Sequence, residues 1–146
     1  MGSTGGVLVA LALSAWLITL SAFDIRQRRL PNVLTLPGAA IVLAGAAIAG
    51  YGRGATLGAA ALFAAYAAVH LIAPAAMGAG DVKLAIGVGA LTGALGPDVW
   101  ALSALLAAAL TMGWAGVLLA WRSDATVPHG VSMCVSAAVV MWLVLP

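Results

Sequence analysis

Apolar residues fill this chain in six runs, and the charged residues sit in or beside the short stretches between them. The runs cover residues 6–23, 33–49, 55–73, 84–95, 99–121 and 131–145. Turn-forming residues punctuate the gaps: Pro31-Asn32, Gly50-Tyr51-Gly52, Pro74, Gly96-Pro97 and Pro128-His129-Gly130. A helix crossing a bilayer needs about 20 residues, and open strands would leave backbone groups unpaired in lipid. The pattern predicts an all-α fold, a polytopic membrane bundle of about six transmembrane helices, with residues 1–146 forming one domain. The first run lacks the basic flank of a cleavable leader and is expected to be a permanent helix.

Composition agrees with the pattern. The chain is 64% hydrophobic and 7% charged, against about 25% charged residues in an average soluble domain. So little charge cannot clothe a globular surface in water. The net charge of +2 does not point to nucleic acid, because the bases stand at predicted membrane edges. With six crossings, the first, third and fifth loops share a face. They hold Arg26, Arg28, Arg29, Lys83 and Arg122, five of the six basic residues; Arg53 alone lies on the other side. Positive charge marks the cytoplasmic face, so both termini are expected outside. Trp16 and Trp114 fall deep in their runs and are expected to pack.

The fourth run is the shortest. The stretch between Lys83 and Asp98 gives only about 21 Å of helix, against about 30 Å of hydrocarbon. Either the bilayer thins there, or the helix begins below the surface in protein-lined space. Glycine pairs at Gly54-x-x-x-Gly58 and Gly89-x-x-x-Gly93 fit close helix packing, although a glycine-rich chain produces such spacings readily.

Two polar clusters border the membrane on the predicted cytoplasmic face. One runs from Asp24 through Leu30-Pro31-Asn32; the other is Gly78-Ala79-Gly80-Asp81-Val82-Lys83. An ionisable group at such a boundary is costly to keep, which makes it a candidate for function. Two carboxyls brought close and sharing one proton supply both the base that activates water and the acid that protonates a departing amine. Asp24 and Asp81 are the candidate pair. Gly78 and Gly80 leave room for an extended substrate strand, and Lys83 is placed to balance charge or to snorkel. Plainer readings stand beside this one. Asp81 would serve as a helix N-cap, and Asp24 would pair with Arg28 or Arg29 on a solvated loop. His70 reads as a packed or hydrogen-bonded residue, and His129 as a turn residue. Neither has metal-ligand spacing. Cys134, the only cysteine, reads as a small buried hydrophobe. Ser132 and Cys134 follow His129 without any nucleophile-elbow pattern.

The two clusters together resemble the type IV prepilin peptidases, membrane aspartyl proteases of the Gly-x-Gly-Asp kind. The family's first pattern is Asp, five residues, then Ile-Pro-Asn; Asp24 is followed by five residues and Leu30-Pro31-Asn32. Its second, Gly-x-Gly-Asp-x-Lys, stands here as Gly78 to Lys83, and its late Pro-aromatic-Gly is similar to Pro128-His129-Gly130. The resemblance implies a bacterial inner-membrane endopeptidase that removes the leader of prepilins or pseudopilins at the cytoplasmic side. Asp24 and Asp81 would be catalytic, Pro31, Asn32, Gly78, Gly80 and Lys83 would shape the site, and no cofactor or metal would be needed. Longer members carry paired Cys-x-x-Cys motifs and also methylate the product. This chain has one cysteine and no such motifs, and so resembles the short, peptidase-only forms of tight-adherence pili, which implies that the product is not methylated. The competing classes are a protease of the same kind with other substrates, and a non-enzymatic transporter subunit or scaffold. A transporter would favour inverted repeats and paired broken helices, and neither is clear here.

Overall fold

The computed structural model describes residues 4–145. They form six helices: α1 (Thr4–Gln27), α2 (Asn32–Ile48), α3 (Gly52–Ile72), α4 (Ala79–Leu95), α5 (Pro97–Ala120) and α6 (His129–Val144). No strand occurs among the described residues, so the fold is an all-α bundle. Helices α1, α3 and α5 are long and apolar enough to cross a membrane; α2 and α6 are shorter apolar helices of 17 and 16 residues. The outer surface is apolar too: Ile48 is 89% exposed, and Leu71, Leu105 and Leu119 also face outward. Water would not tolerate such a surface on a monomer. The chain is a membrane protein.

Local chemistry ends each helix where the turn residues stand. Arg28 closes α1 in the left-handed region (φ 51°), its N–H on the Asp24 carbonyl at 3.0 Å. The chain then extends into Pro31, the N-cap of α2. Gly50 (φ 88°) ends α2, and Gly96 (φ 132°) separates α4 from Pro97 at the start of α5.

Helix α4 is the axis of the bundle, packed against α2, α3, α5 and α6. Its 17 residues reach about 25 Å, longer than the apolar run because the helix begins at Ala79. The apolar stretch starts at Leu84, with Asp81 in the polar turn ahead of it. Both glycine pairs are used, and they meet each other. A Cβ on Gly54, Gly58, Gly89 or Gly93 would collide with a backbone carbonyl of the opposite helix, so α3 and α4 touch backbone to backbone. Trp16 fills the next gap. Its ring lies on Gly38 and Gly87, and its Nε1–H donates to the Leu34 carbonyl at 3.0 Å. Trp114 differs from expectation. It is 58% exposed on α5, which packs only on α3, α4 and α6 and leaves that flank bare.

The odd-numbered loops gather at one end of the bundle. Arg28 after α1 donates to the carbonyl and hydroxyl of Thr126 before α6. His70 near the end of α3 takes the Met77 carbonyl at 2.6 Å through Nδ1, tying down the segment that leads into Gly78.

Candidate active site

Asp24 and Asp81 meet at that end. Helix α1 continues past its apolar run, which places Asp24 in the last helical turn; it is 8% exposed. Asp24 is therefore not a solvated loop charge. Its Oδ2 accepts the backbone N–H of Val131 at 3.1 Å, and the Gly130 N–H faces the same carboxylate. Those donors belong to the first turn of α6, whose N-cap, Pro128, has no side-chain cap bond to offer them. A carboxylate from α1 fills that need. The positive end of the α6 dipole and the charge-assisted bond compensate part of the burial of Asp24.

Asp81 is the third residue of α4, and Gly78 rather than Asp81 is the N-cap. From this position its carboxyl reaches back to the Gly78 N–H, as the third residue of a capping box does. Burial and the neighbouring Asp24 carboxylate push Asp81 up to about 6, against the opposing pull of that N–H.

Gly130 measures how closely the two acids approach. A Cβ built on Gly130 would stand 2.8 Å from Asp24 Oδ2 and 3.3 Å from Asp81 Oδ1. The two oxygens therefore lie no farther apart than the sum of those distances. Only a residue without a side chain fits between them and the α6 backbone.

A cavity of about 290 Å³ opens beside the pair. Both aspartates line it, with Asn32, Gly78, Gly80 and Lys83 and the flanking Arg28 and Arg29. Lys83 Nζ donates to Asn32 Oδ1 at 2.9 Å, which joins the two sequence clusters directly. Gly80 lies against Leu30, where a Cβ would come within 3.3 Å of the Leu30 Cβ. Pro31 sets the start of α2 and so the approach of Asn32. The polar clusters are thus locked to each other by one hydrogen bond and one close contact. Among the described residues, no three His, Cys, Asp or Glu side chains gather as a metal site.

The sequence reading does not anticipate Gly130 and Val131 as partners of Asp24. It also places His129 in a turn, whereas His129 is the first residue of α6. Its Nε2 lies 2.9 Å from the Tyr66 hydroxyl and its Nδ1 2.6 Å from that of Thr111. The only signal for this region was the Pro128-His129-Gly130 turn. Chain spacing carries no information about an aspartate 107 positions away.

Comparison with curated proteins and with solved structures returned no match. A family model described as the type IV leader peptidase family matches residues 11–115, which takes in both aspartates and stops ahead of α6. A match over well more than half the chain, on a membrane bundle of this shape, settles the family: the chain belongs to the type IV leader peptidases, a family of proteases.

Proposed function

We propose that the chain is an aspartic endopeptidase of the bacterial inner membrane, with residues 1–146 acting as one peptidase domain. It removes the short, positively charged leader of prepilins or pseudopilins on the cytoplasmic side and does not methylate the product. The observation that carries this reading is the convergence of Asp24 and Asp81 on Gly130 at the mouth of an open cavity.

The chemistry follows from how each acid is held. Asp24, supported by N–H donors, is the better-stabilised anion and takes a proton from water as its oxygen attacks the scissile carbonyl. Asp81 carries the proton of the pair and gives it to that carbonyl oxygen, forming a neutral diol. Collapse breaks the C–N bond as Asp81 takes back a proton from a diol hydroxyl and Asp24 passes its gained proton to the departing amine, which restores the pair. The two residues act as one coupled unit. Pro31, Asn32, Gly80 and Lys83 hold the two clusters together, and Gly78 leaves space for the substrate strand ahead of Asp81. Five of the six basic residues lie at this end of the bundle, which is the basis for assigning it to the cytoplasm with both termini outside. The substrate's apolar helix would approach through the lipid.

The test is co-expression of a prepilin with the wild type, Asp24→Asn or Asp81→Asn, read by the size of the pilin product. Each variant is expected to abolish processing while accumulating normally in the membrane. Processing by either well-expressed variant would refute the pair.

A further inference from the structure

The mechanism above leaves one half-buried polar group beside the site without a task. His129 touches neither carboxyl by hydrogen bond, yet its ring is gripped on both sides. Tyr66 of α3 holds Nε2 at 2.9 Å and Thr111 of α5 holds Nδ1 at 2.6 Å. The Tyr66 and His129 rings also pack at 5.5 Å between centroids, tilted by 44°. A neutral imidazole has one donor and one acceptor nitrogen, and two hydroxyls complement it in either tautomer. Both ring nitrogens are therefore used to anchor the ring, and the anchors come from two different helices.

What is anchored is the first turn of α6. The next two residues, Gly130 and Val131, present their N–H groups to Asp24. Pro128 supplies no side-chain cap to this turn, and uncapped first turns fray. If the turn opens, the donors leave Asp24, and Asp24 loses the support that sets its position against Asp81.

We propose that His129, latched by Tyr66 and Thr111, is a positioning residue that keeps the α6 N-terminus on Asp24. The proposal rests on the reading of Asp24 and Asp81 as the reacting pair. It separates hydrogen bonding from bulk. A phenyl ring at position 129 keeps the packing and strands both hydroxyls, whereas glutamine keeps a donor and an acceptor.

Purified variants in detergent, cleaving a prepilin, test it. His129→Phe is expected to lower kcat by about 10- to 100-fold with little change in KM, since substrate contacts are untouched. His129→Gln is expected to recover most of that loss. Tyr66→Phe removes one of the two anchors and falls between; added to His129→Phe it costs nothing more, because both act through the same bond. Should His129→Phe fail to accumulate, Tyr66→Phe and Thr111→Val carry the same prediction. A folded His129→Phe with wild-type kcat, or a glutamine variant as impaired as the phenylalanine one, overturns the latch. Asp24→Asn is assayed in parallel. If it is inactive while His129→Phe is normal, only the latch falls; if it is active, the reading of the pair falls first.

Discussion

The starts of α4 and α6 each seat one aspartate, by opposite routes. At α4 the acid belongs to the helix it serves: Asp81 is three residues past its N-cap and reaches back to Gly78. At α6 the acid is borrowed: Asp24 arrives from α1 and binds Val131, 107 positions along the chain. The first arrangement is local and forms with the first turn of its helix. The second exists only once α1 and α6 are packed together. Glycine plays a different part at each. At Gly78 an added Cβ would meet only Asp81 Oδ2, at an ordinary 3.6 Å; at Gly130 it would stand among both carboxylates.

That contrast is open to graded attack. Among the glycines, the severest substitution should be Gly130→Ala. Its methyl needs the space held by Asp24 Oδ2 at 2.8 Å, and a displacement of this kind is worth about 100-fold or more in cleavage rate. Near-normal cleavage by a stable Gly130→Ala protein would show that the acids do not meet there. Gly80→Ala should do less. The methyl would stand 3.3 Å from the Leu30 Cβ, easing the two clusters apart, and a loss of about tenfold is expected in the same assay. Next comes a change in titration. Asp81, held near 6 by burial and by Asp24, should ionise at lower pH in Asp24→Asn. Removing an adjacent negative charge eases release of the proton, while burial keeps the group above its ordinary value. Carboxyl 13C NMR of labelled aspartate in detergent would follow it, and an unmoved Asp81 would mean that the two acids do not sense each other. Gly78→Ala should be mildest: thermal stability nearly unchanged, within about 1 kcal/mol for an N-cap exchange, with KM raised by less than about tenfold if substrate passes over it. An unchanged KM would place the substrate strand elsewhere.

The same contrast explains what was legible in the chain. Hydrophobic runs bounded by Gly and Pro marked all six helices to within a few residues, because in lipid the backbone has almost no alternative to helix. The clearest displacements fell at polar termini. Helix α1 runs on through Gln27 and α4 begins at Ala79, since a helix does not stop where hydrophobicity stops. Asp24 and Asp81 were visible as rare acids at membrane edges, and the Lys83–Asn32 bond joins clusters already singled out. The seat of Asp24 was not visible. Gly130 looked like one more turn glycine, and His129 like a turn residue, because their roles depend on which helix end lies opposite. Trp114 was misjudged for a related reason: depth along a helix does not say which way the side chain faces.

The glycine seam between α3 and α4 carries a mechanical consequence. With carbonyl oxygens resting on α-carbons, neither helix can slide past the other without collision, so the pair behaves as one stiff strut with Asp81 mounted on its end. Helix α1, by contrast, rests mainly on α6 and only lightly on α2. Any opening of the site during a catalytic cycle then falls to the helices around that strut, while Asp81 stays fixed on its end.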